Sequence, residues 1–281
     1  MGTRHERLFG TKASTPLQYA LLAILSCILI QISLCLLTRR RPRRLFDSWS
    51  VTAVGVVCFA TLLIRETFFP RQVFATCLVC AWSTRLAYFL YTRQYVAKDE
   101  VTAGEVLPRI LWSFVCSLPC VLANEFQTHS DVFSPSEKLG FFLFALGLSM
   151  ETLADRQKQA WHAANHNERP SKTSAEYPIC TVGLWRYSRW PNYLGEVLVH
   201  FGVFFVVSSV LPPAVIILPI LNTCMLYFGA YLKHERRRNA TYGLYPLYSL
   251  YRTETSPWLL LPPALYARAS FKCCETDDMG V

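Results

Sequence analysis

Long apolar runs alternate with short clusters of charge along this chain. Residues 17–37 are apolar apart from Gln18, Gln31 and small hydroxyl residues. Residues 51–64 form a second run, which continues through Thr67, Phe68 and Phe69 despite Arg65 and Glu66. A third, 73–91, is interrupted by Arg85, and 107–126, 139–153, 194–211 and 214–232 complete the series. A helix needs about 20 residues to cross a hydrocarbon core about 30 Å thick. The pattern therefore predicts an all-α integral membrane protein with about seven transmembrane helices. Pro212 and Pro213 cannot both continue a helix, so the last two runs are expected to form a helical hairpin.

The positive residues fix an expected orientation, because cytoplasmic loops retain Lys and Arg. Arg39, Arg40, Arg41, Arg43 and Arg44 follow the first run, and Arg93 and Lys98 follow the third. Arg156, Lys158, Arg169, Lys172, Arg186 and Arg189 follow the fifth, and Lys233, Arg236, Arg237 and Arg238 follow the seventh. The opposite face has little beyond Arg4, Arg7, Lys12, Arg71 and Lys138. An N-terminus outside and a C-terminus in the cytosol satisfies every loop.

Composition agrees: the 281 residues are 52% hydrophobic and 17% charged, where a soluble domain carries about a quarter charged residues. The formal charge of +9 is thus read as a topology signal rather than a nucleic-acid surface. The first run exceeds a signal-peptide core and is followed by Arg rather than a small-residue cleavage site, so it is expected to be retained. The 11 Cys are scattered, which suits free thiols packing as small apolar groups. Cys77 and Cys80 form an isolated CxxC, and Cys273 and Cys274 lie in no lipidation signature. His162 with His166 is the sole HxxxH pair, too little for a di-iron centre. No metal site is expected, and His200 is a polar group inside the sixth run.

Candidate chemistry gathers in three cytosolic clusters. METLADRQKQAWHAANHN begins the first, with Glu151, Asp155 and Lys158 on one helical face. GLWRYSRWPNYLGE, residues 183–196, forms the second. Its Arg186 and Arg189 carry forked donors suited to phosphate. Trp185, Tyr187 and Tyr193 add flat surfaces, while Asn192 and Glu196 supply polar groups at a helix start that Pro191 marks. The third, KHERRRNATYGLYPLYSLYRTETSPW, joins Glu235 and Arg236–Arg238 to Tyr242, Tyr245, Tyr248 and Tyr251. These residues also suit an ordinary interfacial belt of Arg and aromatic side chains.

The order ADRQK, then GLWRYSRWPNYLGE, then a Glu- and Arg-rich helix end with a Tyr-rich tail resembles the steroid 5α-reductase C-terminal domain family. Within it, the run is similar to RYSRHPNY of the DUF1295-like branch. AWSTRLAYFLYTR, residues 81–93, extends the resemblance, which covers residues 75–262 of a single polytopic domain and leaves two additional spans in 1–74. Trp190 stands where that run has His. The resemblance implies seven helices with NADPH in a cavity open to the cytosol. Carried over by position, it places Asp155, Asn192, Glu196 and Glu235 at the cofactor and Arg85 in the same cavity. An Arg within a span usually faces a polar interior.

The implied activity is NADPH-dependent reduction of a conjugated carbon–carbon double bond in a lipid such as a sterol, polyprenol or enoyl chain, by an endoplasmic-reticulum membrane protein. Lys158, Arg186, Arg189, Tyr193, Arg236 and Tyr248 join the expected cofactor contacts. Steroid reductases hold the substrate carbonyl with a Glu of the second span and a Tyr of the third, which here nominates Glu66, Tyr88 and Tyr91. A lipid methyltransferase dependent on S-adenosylmethionine shares the Arg-x-Pro-x-Tyr-x-Gly run, although ADRQK argues against it. A non-catalytic lipid-binding scaffold is the non-enzymatic reading.

Overall fold

A computed structural model describes residues 25, 29, 33, 43–93, 101–125, 132–165 and 179–266. The expected span 17–37, apart from Leu25, Leu29 and Ser33, lies outside the described residues, as do His166, Cys273 and Cys274.

Among the described residues, every element longer than a turn is helical. The order is α1 (Arg43–Arg65), α2 (Pro70–Thr92), α3 (Ala103–Glu125), α4 (Pro135–Ala164), a 3-10 turn (Gly183–Arg186) and α5 (Pro191–Val206). A second 3-10 turn (Pro213–Ile216), α6 (Ile217–Met225), a π-helical segment (Leu226–Tyr231) and α7 (Leu232–Tyr242) then run end to end before α8 (Pro246–Glu254).

Among the described residues, four helices are long and apolar enough to cross a membrane: Arg43–Arg65, Pro70–Thr92, Gly104–Glu125 and Pro213–Tyr242. The expected runs 139–153 and 194–211 fall in α4 and α5, which do not meet that standard. At 1.5 Å per residue the 16 residues of α5 reach about 24 Å, and the expected run continues past its end at Val206. Around its apolar stretch, α4 carries Glu137, Lys138, Glu151, Asp155, Arg156 and Lys158.

Local chemistry sets the helix ends. Pro70 opens α2, and the Gln72 side chain accepts the Phe69 backbone N–H at 3.0 Å. The preceding turn holds Glu66 and Phe68 at φ of 53° and 46°, the left-handed region that side chains rarely adopt. Ser134 caps α4 reciprocally with Glu137, and Pro135 fills the first helical position. Glu137 is fully buried against Arg71 of α2 and accepts from Ser209 at 2.5 Å. This end of the bundle is pinned by charge.

The core lies where α1, α2 and α3 meet α5. Val51, Val54, Cys58, Trp82, Cys120, Val121, Val199 and Val203 pack there. Buried polar groups between the helices satisfy one another: Asn124 donates to Thr61 at 3.0 Å and accepts, through its carbonyl, from Gln72 at 2.9 Å. The described cysteines are free, and Cys58, Cys116, Cys120 and Cys180 are buried.

Close approach of α4 to α5 positions the site. Gly140 and Gly147 of α4 face Gly202 and Gly195 of α5, each pair seven residues apart. A Cβ at Gly195 would lie 2.8 Å from the Glu151 backbone N, and one at Gly140 would lie 2.5 Å from that of Val206. Only bare backbone fits between these helices.

Candidate functional site

The site grows from the glycine-tight contact, which sets Glu151 and Asp155 of α4 beside Asn192 and Glu196 of α5. Arg85 of α2 reaches between the carboxylates. Its Nη1 donates to Glu151 Oε1 at 2.8 Å, its Nη2 to Asp155 Oδ2 at 2.7 Å, and its Nε to Thr152 Oγ1 at 3.0 Å. Glu151 also accepts from the Trp82 indole at 3.2 Å. One guanidinium thus serves two carboxylates that are all but inaccessible to solvent. Burial pushes the Asp155 carboxyl above its ordinary range against the opposing pull of Arg85.

The inward face of α5 continues the polar path. Asn192, Glu196 and His200 recur every four residues and so form one stripe. Each carries a buried polar atom without a hydrogen-bond partner: Asn192 Oδ1, Glu196 Oε1 and His200 Nε2. Buried polar groups are normally paired, so three such atoms in a row mark a face built to meet something else. The Trp112 indole lies beside the Glu196 carboxyl, and the Trp82 ring meets His200 edge-on at 4.8 Å between centroids.

Outside this stripe lies a layer of cations and aromatic rings. Gly183, at φ 60°, starts the 3-10 turn, and Leu184 N donates to Gln157 Oε1 at 2.9 Å. That docking buries Trp185 completely, its indole donating to Ala154 O at 2.9 Å. The Tyr251 hydroxyl closes the turn by donating to Trp185 O at 2.6 Å. Arg189 N donates to Ser256 O at 2.8 Å, tying the turn to the C-terminal tail.

Trp190 then enters the α5 N-terminus, stacked on Tyr193 with ring centroids 5.1 Å apart. Its indole donates to Glu235 Oε2 at 2.9 Å, while Arg189 Nη1 lies 2.7 Å from Glu235 Oε1. Arg238 covers the Trp190 ring, and Lys158 Nζ sits 5.2 Å and 5.9 Å from the Trp185 and Trp190 rings. Burial, with Arg238 next, lowers the Lys158 pKa to about 7. Tyr193 pairs with His234 Nδ1 at 2.7 Å.

The structure therefore brings together Arg85, Asp155, Lys158, Arg189, Asn192, Tyr193, Glu196 and Glu235. Tyr248 lies beside them, buried, donating to Asn239 Oδ1 at 2.5 Å. Arg186 and Arg236 are exposed and point away. Glu66, Tyr88 and Tyr91 do not join the cluster. Tyr88 and Tyr91 are 71% and 52% exposed on the outer face of α2. Glu66 precedes α2, 19 positions before Arg85, which along a helix is more than 20 Å at about 1.5 Å per residue.

Glu151, Trp82, Trp112, Trp190, His200 and Arg238 belong to the cluster and stood outside the expected cofactor and catalytic contacts. Spacing carried two of these signals. Glu151 lies four residues before Asp155, and Arg238 three after Glu235, so each shares its neighbour's face. Arg236, one after Glu235, does not. Nothing in the sequence aligns Trp82 or Trp112 with α5, because that contact depends on how the helices cross.

No group of three or more His, Cys, Asp or Glu able to hold a metal occurs among the described residues. The site pairs free acceptor oxygens, which suit hydroxyl and amide N–H donors, with guanidinium and ammonium groups, which suit anionic oxygens. No curated protein matches the chain. The profile of a family described as "Protein of unknown function (DUF1295)" matches residues 34–101 and 107–255, and with this coverage the chain belongs to the DUF1295 family.

Proposed function

We propose that this protein is a multi-pass membrane reductase of the endoplasmic reticulum that uses NADPH to reduce a conjugated carbon–carbon double bond in a sterol, polyprenol or enoyl lipid. It belongs to the wider steroid 5α-reductase group, crosses the membrane seven times, and keeps its N-terminus outside and its C-terminus in the cytosol. The observation that carries the reading is the α5 stripe of Asn192, Glu196 and His200. Its three unpartnered buried atoms lie directly inward of the Trp190, Arg238 and Lys158 layer.

A nucleotide suits this division. Lys158, Arg189 and Arg238 offer positive charge where phosphates would enter, and the flat Trp190 ring offers a stacking surface. Asn192 and Glu196 accept hydrogen bonds from hydroxyl and amide groups deeper in. NADPH, when bound, supplies the hydride; the protein supplies orientation and a dry environment. Arg85 holds Glu151 and Asp155 in one arrangement, so the acidic wall beside the stripe is set before ligand arrives. His200, at the inner end against Trp82, is placed to hydrogen-bond an enone oxygen on which charge develops. The Trp190 indole, donating to Glu235, takes the hydrogen-bonding place of the ring found in RYSRHPNY.

The test is consumption of NADPH by the purified protein in lipid nanodiscs carrying enone sterols, polyprenals or enoyl lipids. Substrate-dependent oxidation supports the reading. Retention of S-adenosylmethionine in place of NADPH would identify a methyltransferase, and NADPH binding without turnover of any of these lipids would identify a scaffold.

A further inference from the structure

A second polar feature lies on the other side of Arg189. The loop after α7 and the helix α8 border a half-open cavity of about 370 Å³ lined by Arg189, Tyr248, Ser249, Arg252, Thr253 and Tyr266. No carboxylate stands among its described lining residues. Arg189 is 7% exposed, and its Nε has no hydrogen-bond partner. Its Nη1 is already neutralised by Glu235 at 2.7 Å. Arg252, in the last turn of α8, is exposed and pairs with no carboxylate among the described residues. Arg238 adds a third cation nearby, donating to Arg189 O at 3.3 Å.

Three hydroxyls of the lining are committed elsewhere. Tyr248 donates to Asn239, Ser249 to Gly243 O at 3.3 Å and Thr253 to Leu250 O at 2.8 Å. Each of these three oxygens keeps acceptor capacity only, so the charged donors of the cavity are its two guanidinium groups, with the Tyr266 hydroxyl beside them. Forked guanidinium donors match the oxygens of a tetrahedral anion, and the net positive charge of three Arg against one Glu favours a dianion over a carboxylate. The volume admits a phosphate with its attached group.

We infer that this cavity is a binding site for a phosphate monoester, held by Arg189 from the bundle side and by Arg252 from α8. The site shares Arg189 with the proposed nucleotide region but needs no nucleotide to form. The phosphate has two available sources, the 2′-phosphate of a nucleotide and a monoester headgroup of the surrounding lipid.

The experiment titrates inorganic phosphate by calorimetry into the full chain in phosphatidylcholine nanodiscs. The unaltered protein binds, and Arg252→Gln and Arg252→Glu each weaken binding tenfold or more. Arg252 is exposed, so neither variant disturbs the core. Competition by 2′,5′-ADP but not 5′-AMP assigns the phosphate to a nucleotide 2′-position. Displacement by phosphatidic acid incorporated in the nanodisc assigns it to a lipid headgroup. Either result supports the site. Absence of phosphate binding, or equal binding by the unaltered protein and both Arg252 variants, overturns it whether or not NADPH is bound elsewhere.

Discussion

The guanidinium of Arg238 lies 3.9 Å from the centroid of the Trp190 ring, so the second and third charged clusters of the sequence meet face to face. Arg238 also donates to Arg189 O, fixing the end of α7 over the start of α5. A cation stacked on an indole keeps its outer N–H groups available, which is what a phosphate requires. Arg238→Ala should weaken NADPH binding about tenfold and narrow its advantage over NADH. Arg236→Ala, on the opposite side of the helix, should change neither. Fluorescence titration of both nucleotides against the two variants checks this.

Lys158 makes binding depend on pH. Its pKa, lowered to about 7 chiefly by burial, leaves the ammonium partly deprotonated in the ligand-free protein near neutrality. An anionic ligand favours the charged form, so affinity for NADPH should fall as pH rises through about 7. The neighbours Arg238, Asp155, Arg93 and Cys180 tune the midpoint without reversing the sign. For stability the direction is opposite. The unfolded chain binds the extra proton between about 7 and the ordinary lysine value of 10.5, so stability rises with pH across that window. Lys158→Met should flatten both profiles, measured by titration and by thermal unfolding at a series of pH values.

Packing of α4 on α5 should be intolerant of a single methyl. A Cβ at Gly195 would meet the Glu151 backbone N at 2.8 Å, whereas one at Gly229 meets nothing within 4 Å. Gly195→Ala should destabilise by about 1–3 kcal/mol and weaken ligand binding by displacing Glu151 and Glu196. Gly229→Ala should leave the melting temperature unchanged. Thermal unfolding of the detergent-solubilised variants separates the two.

Much of this arrangement was legible in the sequence. Four of the expected runs coincide with helices long enough to cross a membrane, because length and hydropathy are local properties. Asn192 and Glu196 could be placed on one face because their spacing and the break at Pro191 are also local, whereas Asp155 was set beside them by the resemblance. The runs 139–153 and 194–211 read as ordinary spans, yet α4 and α5 are set apart by what the helical period alone does not reveal: a glycine seam and a buried acidic face. Glu66, Tyr88 and Tyr91 failed to converge on the cluster for a related reason. Their choice rested on the resemblance alone, and it is Arg85 with Trp82 that α2 turns toward the cluster. Trp190 read as a missing His, and its N–H contact with Glu235 depends on how α7 meets the start of α5, which no local pattern reveals.

Orientation has a direct test. With the N-terminus outside, residues 155–193 and 233–281 are cytosolic, and the connection between the fourth and fifth expected spans is not. A glycosylation tag inserted after Ser130 should be modified, and one after Ser174 should not. Modification of the second tag alone would invert the scheme.

The central claim is that the α4–α5 face holds a nicotinamide nucleotide, and Glu196 with Asp155 decides it. The measurement is NADPH fluorescence titrated against the detergent-purified protein and its Glu196→Gln, Asp155→Asn and Glu137→Gln variants. Both of the first pair should bind at least tenfold more weakly, since each alters a buried hydrogen-bonding group at the site. Glu137→Gln, which breaks a buried ion pair with Arg71 at the other end of the bundle, should lower thermal stability by about 3–5 kcal/mol with affinity unchanged in the fraction that stays folded. Equal affinity in all four proteins, or no NADPH binding by the unaltered chain, would contradict the account.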